Sequence, residues 1–300
     1  MDLKKEILRL KEEKNAIVLA HYYQRDEVKD IADKVGDSFY LSRAAKNCSQ
    51  DVIVFCGVKF MAESAKILSP QKKVLLTEHE ALCPMAAMAN AKDVEEIKKK
   101  YPNAKVVCYI NSTAEVKSVS DVCCTSSNAV KIVENLDGEE IIFLPDENLG
   151  QYVQKQVPHK KIILWNGFCC VHYRVESKDV LDVKNKYKGA KILVHPECSN
   201  EVRNLADFIG STGQIINYFN DTDFEKYIVV TEKGVIHEMG KLSKRKKIIP
   251  IESMTCVNMK KTTLKSVYES LIDMKYEINL NEDVINKAKN SLENMLILGR

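Results

Sequence analysis

The sequence predicts an α/β fold of three small αβα sandwich domains with parallel sheets, related by a pseudo-threefold axis, with the active site at the central axis. Two observations carry this prediction. Short apolar runs of about four to eight residues alternate with amphipathic stretches, which is the pattern of βαβ units with parallel strands. The pattern then recurs in register at offsets of 88 and 86 residues, as in Ala16, Ala104 and Ala190, and such a repeat defines the architecture.

The elements of each copy follow in the same order. A first buried strand is predicted at 16–23, 104–111 and 190–197. An aspartate recurs on the way to the next strand, as Asp33, Asp121 and Asp207. A second strand is predicted at 52–55, 140–143 and 226–229. A third strand is entered through a lysine pair each time, at 72–76, 160–164 and 246–250.

The repeat divides the chain into three units and a tail. The first unit covers 1–87 with an N-terminal helix, the second covers 88–173 and the third covers 174–256. The segment 257–300 is predicted to be helical and to pack back on the body. No low-complexity linker separates the units, which favours one compact three-lobed body.

Composition and charge exclude several classes of protein. Lys and Arg number 45 against 42 Asp and Glu, giving a net charge of +3, and 45% of the residues are hydrophobic. This is the composition of a globular protein, and its scattered basic residues do not form the single basic face of a nucleic-acid binder. The charged N-terminus does not resemble a signal peptide, and no apolar run approaches the roughly 20 residues of a membrane span. We therefore expect a cytoplasmic protein without nucleic-acid or membrane partners.

The ten cysteines point to a metal site. They lie at positions 48, 56, 83, 108, 123, 124, 169, 170, 198 and 256, and no two form a CxxC pair, which argues against zinc ribbons and ferredoxin-type loops. Cys83, Cys169 and Cys256 each follow the third strand of a copy. A structural zinc normally takes four protein ligands, whereas a 4Fe-4S cluster held by three cysteines leaves one iron open as a Lewis acid.

Polar residues recur where the first strand of each copy ends. They stand two apart, as His21 and Tyr23, Tyr109 and Asn111, and His195 and Glu197, so each pair lies on one side of an extended segment. Ligands of open α/β sheets bind outside the carboxyl ends of the strands. Ser38, Ser126 and Thr212 are predicted to open the following helices, where backbone N–H groups favour an anion.

These segments are also where the chain closely resembles the quinolinate synthase family. The matching motifs cover nearly the whole chain and lie at 20–24 (AHYYQ), 31–33 (IAD), 36–38 (GDS), 60–66 (FMAESAK), 83–86 (CPMA), 109–115 (YINSTAE), 123–129 (CCTSSNA), 145–146 (PD), 167–172 (GFCCVH), 195–198 (HPEC), 210–213 (GSTG) and 256–260 (CVNMK). Two departures are Ala87, where we expect aspartate, and the Cys169-Cys170 pair, in which the two neighbours can exchange the roles of ligand and spare.

The resemblance implies a transferase of de novo NAD biosynthesis that condenses iminoaspartate with dihydroxyacetone phosphate to quinolinate, phosphate and water. It implies an oxygen-sensitive 4Fe-4S cluster on Cys83, Cys169 and Cys256, with one open iron as Lewis acid, and a functional link to an aspartate-oxidising enzyme.

The chemistry assigns a role to each candidate residue. We expect Tyr23 and Glu197 to act as general acid and base, with burial pulling their pKa values toward neutrality. Tyr109 and His172 would position substrate or protonate a leaving hydroxyl. Substrate binding is assigned to His21, Ser38, Tyr109, Asn111, Ser126, His195, Glu197, Ser211 and Thr212.

Other interpretations remain open at this point. The runner-up is another three-cysteine 4Fe-4S enzyme of similar three-lobed architecture, such as the diphthamide-forming or isoprenoid-diphosphate-reducing families. A non-catalytic metal-loaded sensor or solute-binding module is the alternative from another class. The default for Cys48, Cys56, Cys108, Cys123, Cys124 and Cys170 is a buried small hydrophobe, and Cys198 is a candidate redox-sensitive thiol.

Overall fold

The computed structural model of the chain describes residues 2–299 and contains three four-stranded sheets, all parallel and flanked by helices. This confirms the predicted α/β class with three small αβα units. The strand order is the same in all three sheets, with the first strand between the second and the third. The unit boundaries at 87/88, 173/174 and 256/257 stay predictions.

The elements are as follows. The first copy runs α1 (Leu3–Glu13), β1 (Ala16–His21), α2 (Asp26–Lys29), β2 (Lys34–Gly36), α3 (Ser38–Asn47), β3 (Val52–Cys56), α4 (Lys59–Leu68) and β4 (Lys73–Leu76). The second runs α5 (Ala91–Lys100), β5 (Lys105–Tyr109), α6 (Ala114–Ser118), β6 (Val122–Cys124), α7 (Ala129–Asn135), β7 (Glu140–Leu144), α8 (Glu147–Gln156) and β8 (Lys161–Leu164). The short helix α9 (Cys170–Tyr173) follows.

The third copy runs α10 (Ser177–Lys186), β9 (Lys191–Val194), α11 (Asn200–Arg203), β10 (Phe208–Ile209), α12 (Thr212–Asp221), β11 (Lys226–Val230), α13 (Val235–Leu242) and β12 (Lys247–Pro250). The tail forms α14 (Leu264–Asp273) and α15 (Glu282–Leu298). Single 3-10 turns lie at Met85–Ala87 and Met259–Lys261. Among residues 2–299, no helix has the length and apolar character needed to cross a bilayer.

The sequence predicts three strands per copy, and each copy has four. The missed strands are β2, β6 and β10, which pair with β1, β5 and β9 at the sheet edges. They contain only two or three residues each. A run this short has no room for the alternation or the apolar stretch that signals a strand.

The recurring aspartates join the edge strand to the central strand. Each accepts a hydrogen bond from a backbone N–H of the first strand: Asp33 from Val18 at 2.8 Å, Asp121 from Val106 at 2.7 Å and Asp207 from Ile192 at 2.9 Å. Each backbone N–H of these aspartates donates in return to the carbonyl of the same partner. The repeat in sequence is therefore a repeat of one local structure.

The first lysine of each predicted pair caps the C-terminal end of a helix. Lys72 Nζ donates to Cys48 and Gln50 carbonyls at 2.6 Å, Lys160 Nζ donates to the Leu136 carbonyl, and Lys246 Nζ donates to the Phe219 and Thr222 carbonyls at 2.8 and 2.5 Å. These carbonyls lie at the C-terminal ends of α3, α7 and α12, where backbone acceptors lack partners within the helix. The lysine cation also complements the helix dipole.

The core lies on both faces of the sheets. Strands β1 and β3 are buried along their whole length, as expected for parallel strands covered by helices. One large apolar cluster joins the first two copies and α15, while the third copy has clusters of its own. Helix α14 packs on α1, and α15 packs on α4, α6 and β6. The carboxyl ends of the strands remain free to form the site.

Candidate active site

One cavity takes in almost all of the predicted residues. It encloses about 1000 Å³, counted out to the solvent at its mouth, and side chains of all three copies line it. The predicted residues that line it are His21, Tyr23, Ser38, Cys83, Tyr109, Asn111, Ser126, Cys169, His172, His195, Glu197, Thr212 and Cys256. Ser211 does not line it. The structure therefore brings the strand ends and the cysteines to one place.

The helix starts differ in detail from the prediction. Ser38 and Thr212 are the first residues of α3 and α12, as expected. Ser126 does not open a helix, because α7 begins at Ala129; the expectation for Ser126 is wrong on this point. Ser211 is the N-cap of α12, and its hydroxyl accepts a hydrogen bond from Gln214 N at 3.3 Å, so this side chain stabilises the helix end.

The three predicted cysteine ligands sit on loops that are fixed in the same way. In each copy, the third residue after strand β3, β7 or β11 donates its backbone N–H to the carbonyl two residues before the cysteine. The pairs are Lys59 to Ala81 at 2.9 Å, Glu147 to Gly167 at 2.8 Å and Lys233 to Met254 at 2.9 Å. The repeat thus places the three thiols by equivalent backbone contacts.

Each of these thiols also receives a backbone N–H from three residues further on. The donors are Ala86 for Cys83, His172 for Cys169 and Met259 for Cys256. Burial raises the pKa of Cys83 to about 12 and raises the pKa values of Cys169 and Cys256, while these N–H groups act in the opposite direction. Cys83 also interacts electrostatically with both Cys169 and Cys256. Three desolvated thiols that share a cavity favour a bound cation, which stabilises thiolates.

The neighbours Cys169 and Cys170 have different surroundings. The backbone N–H of Cys169 donates to Asp146 Oδ2 at 3.0 Å, and its Sγ lies 3.2 Å from His172 Nδ1. Cys170 is exposed, so its predicted burial as a small hydrophobe is wrong. These contacts favour Cys169 over Cys170 as the ligand.

Cys170 lines the cavity together with the three proposed ligands, whereas the remaining cysteines and Ala87 do not line it. Cys56, Cys108, Cys123 and Cys124 are buried as expected, and Cys48 is half-buried. Cys198 is fully buried, and burial raises the pKa of its thiol, so it is unsuited to the role of a redox-sensitive thiol. Ala87 is exposed at the end of the 3-10 turn that follows Cys83.

Glu197 is the centre of a buried hydrogen-bond network. Its Oε2 lies 2.7 Å from His172 Nδ1, and its Oε1 accepts a hydrogen bond from Tyr109 Oη at 2.5 Å. His195 Nδ1 is 3.6 Å from the same carboxylate, and the His172 and His195 rings stack with centroids 4.5 Å apart. The carboxylate therefore orients two groups that face the cavity.

The expected shifts of pKa toward neutrality are wrong in direction for both Glu197 and Tyr23. Burial by itself raises the pKa of Glu197, but the attraction of His172 and His195 and the hydrogen bonds from His172 and Tyr109 outweigh burial and lower it to about 2. The pKa of Tyr23 rises well above 10 because of burial and the charge of Glu197. The two groups are therefore a stable carboxylate and a stable phenol in the free protein.

Tyr23 joins the same network through a residue that the sequence analysis did not single out. Tyr23 Oη is hydrogen bonded to Thr212 Oγ1 at 2.7 Å and to Thr231 Oγ1 at 2.9 Å. Thr231 Oγ1 lies 2.9 Å from His172 Nε2. A continuous chain of hydrogen bonds thus runs from Tyr23 through Thr231, His172 and Glu197 to Tyr109.

Two histidines of the lining are neutral. Burial lowers the pKa of His21 and of His195 to about 3 in each case, against the opposing attraction of Glu197. Asn111 Oδ1 is buried and has no hydrogen-bond partner among residues 2–299. A buried polar atom without a partner in a ligand cavity indicates a contact that a bound molecule completes.

Comparison with known proteins identifies the family. A family model described as quinolinate synthetase A protein matches residues 5–297. The chain belongs to this family. A quinolinate synthase of Clostridium acetobutylicum is 59% identical over 300 residues, which cover 100% of this chain and 99% of the relative. A quinolinate synthase of Clostridium perfringens is 56% identical over 300 residues and is covered completely, and one of Caldicellulosiruptor bescii is 55% identical over 298 residues, covering 99% and 98%.

Membership of the quinolinate synthetase A family confirms the resemblance predicted from the sequence motifs. The relatives match over their full length and share the name quinolinate synthase. The other three-lobed cluster enzymes and the metal-loaded sensor are therefore not favoured.

In this member of the quinolinate synthetase A family, three residues of types that bind metals also lie close together without forming a metal site. Among the described residues, ligand atoms of Cys169, His172 and Glu197 all lie within 4.8 Å of one another. Two ligands of a tetrahedral zinc, each about 2.1 Å from the metal, are about 3.4 Å apart. The 2.7 Å between His172 Nδ1 and Glu197 Oε2 is shorter and is a normal hydrogen-bond distance. This group is therefore a hydrogen-bonded cluster that shares Cys169 with the three-thiol set.

Proposed function

We propose that the chain condenses iminoaspartate with dihydroxyacetone phosphate, giving quinolinate, phosphate and two molecules of water. The observation that carries this proposal is the convergence of three repeat-equivalent thiols, Cys83, Cys169 and Cys256, on the cavity that the strand-end polar groups line. The family and the name shared by the relatives support the same reaction.

The three thiols fit a 4Fe-4S cluster. Cysteine thiolates are the ligands that iron–sulfur clusters take, and these three are all half-buried, have a backbone N–H at the sulfur and line a common cavity. When bound by three protein ligands, such a cluster supplies one open iron, which acts as a Lewis acid toward a carboxylate or hydroxyl.

Helix N-termini and neutral polar groups of the cavity lining suit two anionic substrates. Helices α3 and α12 begin at Ser38 and Thr212 beside the cavity, and helix N-termini attract phosphate and carboxylate groups. The imidazoles of His21 and His195 are neutral and can donate hydrogen bonds from one ring nitrogen. Asn111 offers its amide to orient a substrate. We assign substrate binding to these groups together with Ser126, and we assign Ser211 a capping role.

The hydrogen-bond chain suits the proton transfers of the reaction. Carbon–carbon bond formation needs a proton removed from carbon, and each dehydration needs a proton delivered to a leaving hydroxyl. Glu197 holds His172 on one oxygen and Tyr109 on the other, so a proton taken up at His172 is stabilised by the carboxylate. Tyr23 reaches His172 through Thr231. This chain can carry a proton between Tyr23 and Tyr109, the two phenols that line the cavity.

The supply of iminoaspartate implies a partner reaction. An imine of this type hydrolyses in water, so it has to be produced close to its use by an aspartate-oxidising enzyme. This functional link, the cytoplasmic location and the lack of nucleic-acid and membrane partners stay predictions.

The experiment is an assay without oxygen. The chain is purified anaerobically, its iron and sulfide are measured, and quinolinate formation is followed from dihydroxyacetone phosphate and iminoaspartate generated in situ. We expect about four irons and four sulfides per chain and quinolinate with equimolar phosphate. Stoichiometric zinc without sulfide, or substrate binding without quinolinate, would contradict the proposal.

A further inference from the structure

Two buried carboxylates hold the backbone of two proposed cluster ligands. Asp146 Oδ2 accepts the N–H of Cys169 at 3.0 Å, and Glu232 Oε1 accepts the N–H of Cys256 at 3.2 Å. Both acids have a relative exposure of 0%. Burial raises the pKa of both acids, because a buried charge is costly unless it is well paired. Two acids at these positions therefore need a specific explanation.

The two acids occupy the same position in the repeat. Position 232 lies 86 residues after position 146, which is the offset between the second and third copies. The equivalent position in the first copy is Val58, a buried side chain without an acceptor. All three copies therefore hold the cysteine loop by the same backbone hydrogen bond. Only the loops of Cys169 and Cys256 are also held by a carboxylate.

Each carboxylate uses both of its oxygens. Asp146 Oδ1 accepts the N–H of Leu149 at 2.7 Å and so caps α8. Glu232 Oε2 accepts the N–H of Gly234 at 2.6 Å, and its Oε1 lies 3.4 Å from Lys260 Nζ. An amide in either place has one acceptor oxygen only, so its NH₂ group would face a backbone N–H.

We propose that Asp146 and Glu232 are positioning residues that hold the loops of Cys169 and Cys256 in the orientation that retains the cluster. This inference rests on the proposed function, because it assigns these cysteines to a cluster. Groups that orient metal ligands typically change metal affinity by about 10-fold to 100-fold when they are removed. We expect the loop of Cys83, which has Val58 in place of the acid, to depend on packing alone.

Asp146→Asn separates this role from folding. Asparagine is as good an N-cap as aspartate, so the contact with Leu149 and helix α8 are kept while the acceptor for Cys169 is lost. Glu232→Gln removes the acceptor for Cys256 in the same way. Glu63→Gln is the matched control, because Glu63 is also buried and accepts a backbone N–H, that of Ala114 at 3.1 Å. Its Oε1 lies 3.8 Å from the side-chain Nζ of Lys59, and in the part of the chain that the structure describes it accepts no hydrogen bond from the backbone of a cysteine loop.

The experiment measures cluster loss. Cluster-loaded wild type and the three variants are mixed with an iron chelator without oxygen, and the decay of the visible absorption is followed. The visible and electron paramagnetic resonance spectra of each protein are recorded first, and thermal unfolding is measured on the same proteins. We expect Asp146→Asn and Glu232→Gln to lose iron about 10-fold to 100-fold faster than wild type, and Glu63→Gln to lose it at the wild-type rate.

The outcomes separate this inference from the proposed function. Wild-type rates of iron loss in Asp146→Asn and Glu232→Gln, from a wild type that holds about four irons, would overturn the inference and leave the proposed function standing. Equal acceleration in Glu63→Gln would also overturn it, because the effect would then be general loss of stability. A wild type that takes up no iron and sulfide would overturn both.

Discussion

Glu197 Oε2 lies 2.7 Å from His172 Nδ1, and both side chains are buried, with relative exposures of 4% and 1%. A carboxylate that binds one ring nitrogen fixes the orientation of the imidazole and directs its other nitrogen. That other nitrogen, Nε2, lies 2.9 Å from Thr231 Oγ1, which in turn contacts Tyr23. His172 and Thr231 therefore connect the carboxylate of Glu197, in the third copy, to the phenol of Tyr23, in the first copy.

Glu197→Gln should lower turnover by a factor on the order of 10² to 10⁴, the usual contribution of one acid–base group. The amide has one acceptor, so it cannot hold both His172 and Tyr109. Iron content and thermal stability should stay close to wild type. The measurement is anaerobic quinolinate formation normalised to iron. Turnover near the wild-type rate would mean that Glu197 lines the pocket without acting in proton transfer.

Serine substitution should divide the cysteines into two groups. Cys83→Ser, Cys169→Ser and Cys256→Ser should each lose the cluster, because a hydroxyl does not replace a thiolate as an iron ligand. Cys170→Ser, an exposed neighbour, and Cys108→Ser, a buried one, are the controls and should keep it. Iron and sulfide analysis after anaerobic reconstitution decides the matter. Loss of the cluster in Cys170→Ser together with its retention in Cys169→Ser would show that Cys170, and not Cys169, is the ligand.

Thr231→Val tests the link between Tyr23 and His172. Valine keeps the shape and removes the hydroxyl, so we expect a fall in kcat of about 10-fold, in line with the loss of one buried hydrogen bond, with little change in KM. Thr231→Ser restores the hydroxyl and should recover most of the rate.

The control for this prediction is Thr262→Val. Thr262 is fully buried and hydrogen bonded to Thr77 at 2.9 Å, and it does not line the cavity. An equal fall in kcat in Thr262→Val, or no recovery in Thr231→Ser, would count against a specific role for Thr231.

The threefold repeat is the reason why most residues of this site could be predicted from the sequence. The cysteines and strand-end residues recur in register, and equivalent positions of the three copies line one cavity. Asp146 and Glu232 can be recognised in the sequence in the same way, because both are acids at the same position of the repeat. Thr231 cannot, because the other copies have Gly57 and Pro145 in its place.

Tertiary packing decides the features that the sequence did not predict. Thr231 matters only because it meets Tyr23 of the first copy and His172 of the second, which no local pattern encodes. The pKa of Glu197 falls for the same reason: burial alone predicts a rise, and the neighbours His172 and Tyr109 reverse it.

The last prediction concerns stability and pH at His21. Its pKa falls from 6.5 to about 3 because of burial, and its Nδ1 accepts the backbone N–H of Tyr23 at 3.2 Å, which also favours the neutral ring. The unfolded chain takes up this proton below pH 6.5 and the folded chain does not. The stabilisation is therefore complete above pH 6.5 and falls by about 1.4 kcal/mol per pH unit toward pH 3.

His21→Gln removes this dependence, so the free energy of unfolding of the wild type relative to the variant should fall by about 2 kcal/mol between pH 7 and pH 5. Urea unfolding of the cluster-free chains at both pH values measures it, since the cluster itself is sensitive to acid. His159→Gln is the control for loss of an imidazole, because that side chain is exposed and lies outside the cavity lining. A difference between wild type and His21→Gln that is the same at both pH values would mean that His21 takes up its proton equally in the folded and unfolded chains.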